Sequence, residues 1–162
     1  MTYRDSERIT IDRDNIYYDG QPIDKRTIQS IHISGLNSET AYYNNIDNYI
    51  VKLITTSKKR YHVYISKNEK ECRAVVRRLA WVLRDQKNIK KYGSTLINVG
   101  NLRKVEIVKD VFAGDNHKRV NAVFHDHTRI RIVKTPYDFV ANYYVKKIQN
   151  DSLRTLDVKH VK

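Results

Sequence analysis

The chain has 162 residues, of which 40% are hydrophobic and 30% are charged. This length can bury one core or two small lobes, and it excludes two large domains. The single cysteine, Cys72, excludes a disulfide framework and a zinc site built from cysteines, and no stretch approaches the roughly 20 apolar residues of a membrane-spanning helix.

Positive charge is concentrated in the middle of the chain. The formal net charge is +13, and such an excess favours a polyanionic partner because phosphates release their counterions on binding. Acidic residues outnumber basic ones from Met1 to Asn48, whereas basic residues dominate from Tyr49 to Lys109. This uneven distribution is typical of a binding face, and the alternative is a basic protein whose charge serves only solubility.

The first third of the chain predicts short strands. Ile9 and Ile11 have the two-residue spacing of a half-buried strand. Asp19-Gly20 predicts a tight hairpin turn, because type I′ turns need positive φ angles. A further strand is expected over 27–34, and the polar, aromatic segment from Gly35 to Asn48 is predicted to be a long loop.

The middle third predicts a hairpin around Ser57 to Lys59 and then an amphipathic helix from Ser66 to Asp85. Ser66 and Glu69 have the spacing of a capping box at the start of this helix. A lysine-rich connector follows from Gln86 to Ser94. Three arginines of the helix share one face, which is either a binding face or only the solvated side: Arg73, Arg77 and Arg84.

The last third predicts a strand over 102–110, a third hairpin with its turn at Asp126-His127, and a second helix. Thr135 as N-cap and Pro136 in the first turn predict where this helix begins. The segment from Asn150 to Lys162 is expected to be a frayed tail. The predicted buried stripe of the helix consists of Tyr137, Val140, Ala141, Tyr144, Val145 and Ile148.

Together these elements predict an α+β protein with mainly antiparallel sheets and two amphipathic helices. The order strand, turn, strand, capped helix occurs over 49–85 and again over 102–149. This is either a pair of pseudo-repeated lobes or a chance repetition of a common pattern. The expected organisation is an N-terminal extension over 1–26, one compact or two-lobed domain over 27–149, and a tail over 150–162.

The sequence pattern does not predict catalysis. The five glycines are scattered singly, which excludes a glycine-rich phosphate loop, and a buried Cys72 is unreactive. His125 and His127 can ligate a metal from one face of a strand. They lie where a hairpin must turn, however, and polar residues are favoured there for that reason alone. We therefore expect no enzyme activity, no metal and no cofactor.

Three basic clusters predict contacts with nucleic acid. They lie at a hairpin tip, in the connector, and on the last strand of the third hairpin. Lysine and arginine supply sequence-independent affinity for phosphates, and tyrosine, serine and asparagine add hydrogen bonds. Asn98 has an alternative role, in which its amide pins a backbone turn. The predicted binding residues are Lys58, Lys59, Arg60, Lys87, Lys90, Lys91, Tyr92, Ser94, Asn98, Arg129, Arg131 and Lys134.

The segment from Lys90 to Ile107 resembles the signature of LytTR-type DNA-binding domains of bacterial response regulators. That signature has a basic residue, a serine, an aliphatic pair, an asparagine and then spaced aliphatics. The closing hairpin from Phe124 to Lys134 is also similar, and the likeness covers roughly Thr27 to Val145. The matching positions are Lys90, Ser94, Leu96, Ile97, Asn98, Leu102, Val105 and Lys134.

Three positions depart from the family's pattern. Tyr92 replaces a histidine of the family's pattern, Gly93 replaces a polar residue that contacts DNA, and Val133 replaces a serine. The resemblance therefore implies phosphate contacts by Lys90, Ser94 and Lys134, and it implies no base-specific contacts. Similar strand-rich segments also occur in ComK-type competence regulators and in PH-like lobes.

The leading hypothesis is a small cytoplasmic transcriptional regulator that binds double-stranded DNA, as a monomer or a homodimer. The rival is a PH-like, non-catalytic module that binds a protein partner or anionic lipid, including an accessory or inhibitor protein of a mobile element. The acidic first third and the aromatic pair Tyr42-Tyr43 favour the rival, whereas the clustered positive charge favours DNA.

Overall fold

A computed structural model describes residues 6–35, 48–109, 117–152 and 156–161. The chain divides into two compact units: unit 1 is Met1–Ile97 and unit 2 is Asn98–Lys162. Most of the strand pairs are antiparallel and each unit has a 14-residue helix, which confirms the predicted α+β class. Most of the long loop predicted between Gly35 and Asn48, including Tyr42-Tyr43, lies outside the described residues.

Unit 1 contains a small sheet, a larger sheet and a helix. Its elements are β1 (Ile9–Ile11), β2 (Ile16–Tyr18), β3 (Gln21–Pro22), β4 (Ile28–Ser34), β5 (Tyr49–Thr55), β6 (Arg60–Ser66), α1 (Glu69–Val82), β7 (Ile89–Tyr92) and β8 (Thr95–Asn98). The small sheet has the order β1-β2-β3 and the larger sheet has the order β6-β5-β4-β8-β7.

The helices in the described ranges of the chain are too short or too polar to cross a membrane.

The turn residues adopt the backbone conformations that their sequence favours. Asp19 and Gly20 both have positive φ angles, 51° and 75°, so the type I′ turn predicted between β2 and β3 is confirmed. Lys58 closes the hairpin of β5 and β6 with φ 66°, and His127 closes the third hairpin with φ 69°. The three predicted hairpin turns are therefore in place.

Helix α1 begins three residues later than predicted. Its N-cap is Asn68, whose side chain accepts a hydrogen bond from the Lys70 amide at 2.9 Å. Ser66 ends β6 instead, where its hydroxyl accepts from the Asn68 amide and donates to Glu71. The predicted Ser66–Glu69 capping box is therefore wrong, because β6 extends through Ser66 and Asn68, two residues further on, caps equally well.

The core of unit 1 lies between α1 and the sheet. Four residues at three- and four-residue steps along α1 are at most 1% exposed, namely Cys72, Val76, Leu79 and Val82. They pack against strand residues that include Ile31, Val51 and Leu53. Ile9, Ile11 and Ile16 of the small sheet pack on the same core. The N-terminal segment consequently contributes to the core of unit 1.

Unit 2 contains a sheet of order β11-β10-β9-β12 and the helix α2. The last strand pairs in parallel with β9, so Val158 lies opposite Val105. The prediction of a frayed tail is therefore wrong for these residues. After α2 the chain returns to the edge of the sheet, where the backbone N–H and C=O groups of the last strand form hydrogen bonds with β9. The elements are β9 (Leu102–Lys109), β10 (Lys118–Phe124), β11 (Arg129–Thr135), α2 (Asp138–Asp151) and β12 (Asp157–Val161).

Helix α2 also begins later than its sequence pattern indicates. Tyr137 occupies the N-cap position and makes no side-chain capping hydrogen bond. Thr135 still belongs to β11, and its hydroxyl accepts a hydrogen bond from the Tyr137 amide at 3.1 Å. The threonine thus orders the strand-to-helix turn without being the cap.

The two units repeat one arrangement of elements. In each, three consecutive strands form an antiparallel meander, a helix follows, and a later strand pairs beside the first strand of the meander. That later strand is β8, antiparallel to β4, in unit 1 and β12, parallel to β9, in unit 2. Both units therefore contain the strand, turn, strand, helix order that the sequence shows over 49–85 and 102–149. The two units meet between Ile97 and Asn98.

Candidate nucleic-acid interface

Strand pairing brings two of the predicted basic clusters to one end of the large sheet of unit 1. Thr55, just before the β5–β6 turn, pairs with Ile28 at the start of β4, and Ser30 pairs with Ile97 near the end of β8. A two-residue connection joins β7 to β8, so β7 runs antiparallel to β8 and begins at the same end. The turn lysines and Lys87 therefore share that end of the sheet.

We call Lys58, Lys59 and Lys87 the basic end of unit 1. All three residues are exposed. None of the three side chains forms an ion pair or hydrogen bond with another residue in the described part of the chain. Neighbouring strands are about 4.8 Å apart, and the β5–β6 turn lies three to four strand steps from β7. The turn lysines and Lys87 are therefore roughly 14–19 Å apart across the sheet.

Several acidic residues of unit 1 form ion pairs with basic residues of the same unit. Asp24 pairs with Arg26 at 2.9 Å, and Asp85, just after α1, pairs with Lys25 at 3.0 Å. The hydrogen bond from Lys25 lowers the pKa of Asp85 below its usual value. Asp14 and Asp19 likewise pair with Arg84 and Arg8. Each of these pairs also occupies one cation, so the pairs leave the net charge unchanged and restrict the available positive charge to cations without such a partner.

The connector residues are dispersed rather than gathered into one patch. Lys91 is exposed and Lys90 half-buried on β7, the edge strand of the sheet. Lysines on an edge strand also prevent pairing with other chains, so these two have a second physical reason to be present. Ser94 lies in the turn at the far end of β7 from Lys87. It is therefore separated from the basic end by roughly 13 Å of strand.

Tyr92 is the clearest correction among the predicted contact residues. Its side chain is 1% exposed, because it belongs to β7 and points into the protein. A buried ring cannot stack on a base or enter a groove. The prediction that Tyr92 contacts nucleic acid is therefore wrong.

Asn98 has the structural role that was left open as its alternative. Its side-chain oxygen accepts a hydrogen bond from the Gly100 amide at 3.0 Å, capping the short 3-10 helix Val99–Asn101. The side-chain oxygen is thereby engaged with the backbone. This hydrogen bond pins the start of unit 2.

Arg129 belongs to an ion-pair cluster around the buried Glu106 of unit 2. Its Nε lies 3.0 Å from Glu106, whose side chain is 5% exposed, and Lys104 lies 3.5 Å from the same carboxylate. The hydrogen bond from Arg129 lowers the pKa of Glu106. Since β10 separates β9 from β11, the guanidinium must extend across β10 to reach Glu106. Arg129 is therefore first a structural residue.

The remaining predicted cations differ in how available they are. Arg131 is exposed on β11 and has no ion-pair partner in the described ranges. Lys134 is exposed but takes part in another interaction. Arg60 is half-buried and also takes part in an interaction. Of these three residues, Arg131 is the freest to bind a phosphate.

Two arginines, Arg78 of α1 and Arg84 just after it, connect the helix to the N-terminal segment. Arg84 contacts Asp14 at 2.9 Å and stacks 4.4 Å above the Trp81 ring. Arg78 donates to the Ile11 carbonyl at 2.6 Å, and Arg73 pairs with Glu69 within the helix. Arg77 is exposed. Two of the three predicted face arginines, Arg73 and Arg84, therefore have structural partners.

Neither the histidines of the third hairpin nor Cys72 forms a recognisable reactive site. Arg103 lies 3.0 Å from Nδ1 of His127. Within the described residues, no group of three or more His, Cys, Asp and Glu side chains is arranged to hold a metal. Cys72 is fully buried, and burial raises the pKa of its thiol. A neutral, buried thiol is a poor nucleophile.

One row of titratable residues could not be recognised in the sequence. His32, Lys52 and His62 occupy directly paired positions on β4, β5 and β6, so their side chains leave the same face of the sheet. Burial, followed by the charge of Arg60, lowers the pKa of Lys52. Each residue interrupts its strand as a single polar position between apolar ones. Only the strand register aligns them.

A second missed feature is an exposed aromatic surface on α2. Tyr137 was predicted to be buried but is 59% exposed, and Phe139 and Tyr143 are 72% and 58% exposed. The prediction for Tyr137 is wrong because it stands at the N-cap, one step before the helical period begins. Phe139 and Tyr143 do not belong to the predicted buried stripe of the helix. Their position in the helical period is therefore the sequence signal that indicates their exposure.

A scan of the chain against protein-family models finds no match, and comparisons with curated proteins and with solved structures also find no match.

Proposed function

We propose that this protein binds double-stranded DNA in a non-catalytic manner, as a small transcriptional regulator. The observation that supports this most directly is the basic end of unit 1, where three exposed lysines have no anionic partner in the described structure. Lysines of this kind contribute affinity by neutralising phosphates. The regulatory role rests on the LytTR-like order of the motifs from Lys90 to Asn98.

The spacing of the basic end suits a duplex. The β5–β6 turn and Lys87 are separated by roughly 14–19 Å across the sheet, somewhat more than the width of about 12 Å of the major groove of B-DNA. Lysines on both sides of such a span can therefore reach phosphates on the two strands that border a groove. Contacts of this type position a protein on DNA without reading its sequence.

The test is a binding titration with a fluorescent random-sequence duplex at increasing salt concentration. Lys58→Asn combined with Lys59→Gln removes two charges, and asparagine tolerates the positive φ angle of Lys58. We expect weaker binding and a loss of about two from the slope of log affinity against log salt, because each phosphate contact contributes close to one.

Lys67→Gln combined with Lys70→Gln is the matched control. These exposed lysines lie beyond the opposite end of β6 from Lys58 and Lys59, and their loss changes the net charge equally. Equal effects of both double variants would show that only total charge matters. An absence of duplex binding by the wild type at low salt would overturn the proposed function, and binding to anionic vesicles instead would favour a lipid-binding module.

A further inference from the structure

Three large aromatic side chains stand exposed on one side of unit 2. We call Tyr137, Phe139 and Tyr143 the aromatic ridge. The rings of Tyr137 and Phe139 are 5.6 Å apart. Phe139 and Tyr143 are four residues apart on α2, so they lie on the same helix face, about 6 Å apart along its axis. Phe139 is 72% exposed, although its side chain has no polar group that could form a hydrogen bond with water.

The ridge continues into a cationic surface. Lys146 and Lys147 are both exposed and follow Tyr143 by three and four residues, which places them on the same face one turn later. Neither has an ion-pair partner in the described part of the chain. The acid nearest the ridge in sequence, Asp138, pairs with Lys118. The ridge and the two lysines therefore join flat apolar rings to unpaired positive charge.

We propose that this face of α2 binds single-stranded nucleic acid, with bases stacking on Phe139 and Tyr143 and phosphates contacting Lys146 and Lys147. Every base has an aromatic face, and stacking on protein rings is a major source of affinity in single-strand binding. A duplex keeps its bases stacked on one another and offers no such face. Charge complementarity favours this polyanion over a neutral protein surface.

This binding site is independent of the duplex contacts proposed for unit 1. It uses residues of unit 2 only, and it takes a ligand whose bases are unpaired. The basic end of unit 1 can therefore fail its test while the ridge passes, and the reverse is equally distinguishable.

The experiment measures the affinity of the full chain for a labelled oligothymidylate of about 12 nucleotides, a length within the site sizes known for single-strand binders. Phe139→Ala with Tyr143→Ala should weaken this binding by roughly tenfold or more, whereas Tyr143→Phe should retain it, because the ring is kept. Duplex binding should stay within about twofold for both variants, since their changes lie outside the basic end.

Two further probes separate base stacking from other uses of the ridge. Phe139→Leu keeps an apolar side chain and removes the aromatic ring, so it should weaken oligonucleotide binding as Phe139→Ala does. An abasic oligonucleotide of equal length retains the phosphates and should bind at least tenfold more weakly than oligothymidylate. Equal binding of the abasic strand would overturn the proposal. Unchanged oligonucleotide binding by the Phe139→Ala, Tyr143→Ala variant with loss of binding to anionic vesicles would assign the ridge to a membrane surface.

Discussion

At the scale of single residues, ion-pair partners determine which charged side chains remain available to contact a ligand. Arg129 and Arg131 alternate on the same strand and have the same chemistry, yet one is committed to the buried Glu106 and the other has no ion-pair partner among the described residues. Burying a carboxylate without a partner is costly, so the cation that satisfies it contributes first to stability. Ion-pair partners therefore distinguish an arginine that stabilises the fold from one that is available to contact a ligand.

Replacing Arg129 with glutamine should lower the free energy of unfolding near neutral pH, because Glu106 loses its principal hydrogen-bond donor. The folded-state pKa of Glu106 lies below its ordinary value of 4.5. The stabilisation is therefore present above pH 4.5 and is lost as the pH falls through the folded-state pKa. Urea denaturation at about pH 7 and about pH 3 measures the change.

Arg131→Gln is the control for this prediction, since it removes the same charge from an exposed position of the same strand. It should change the stability by less than about 0.5 kcal/mol. A destabilisation by Arg129→Gln that is equally large at both pH values would show that packing, and not the ion pair, is responsible.

At the scale of elements, the last strand, β12, is packed into unit 2. Leu156 immediately precedes β12 and is 5% exposed. The strand that follows pairs with β9 over five residues. The end of the chain therefore contributes both an apolar contact and backbone hydrogen bonds to unit 2.

Leu156→Ala should lower the free energy of unfolding by about 2–5 kcal/mol, as expected for a buried leucine that leaves a cavity. Lys159→Ala, in the same strand but exposed, should have little effect. Thermal or chemical denaturation measures both variants. If the two behave alike and are nearly neutral, the segment is frayed after all.

At the scale of the whole molecule, the division into two units predicts which residues lose protection from local unfolding when one core is weakened. Leu79 is fully buried on α1 and Ile148 is fully buried on α2, so each belongs to the core of a different unit. Locally cooperative regions open independently when their cores are separate.

Leu79→Ala should reduce the hydrogen-exchange protection of amides in β4 to β6 first, and Ile148→Ala should reduce that of amides in β9 to β11 first. Mass-spectrometric hydrogen exchange on the full chain measures both variants. An equal loss of protection in the two units for either variant would show that the chain unfolds as a single cooperative body.

Much of the local structure could be predicted because its causes are local. The positive φ angles at Asp19-Gly20 and the apolar period of α1 depend on neighbouring residues, and the structure confirms both. The α+β class follows from the order of such elements. Helix starts were less predictable: Asn68 and Ser66 can both cap a helix, and the length of β6 decides between them.

The pairing of distant segments decided the rest. Whether β12 joins β9, and whether Lys58 and Lys87 share one end of a sheet, depends on strand register over many residues. The sequence by itself determined the class, the hairpins, the helical core stripe of unit 1 and the excess of positive charge. Only the tertiary structure decided that Tyr92 is buried and that Phe139 is exposed, because burial is a property of what packs against a residue from elsewhere in the chain.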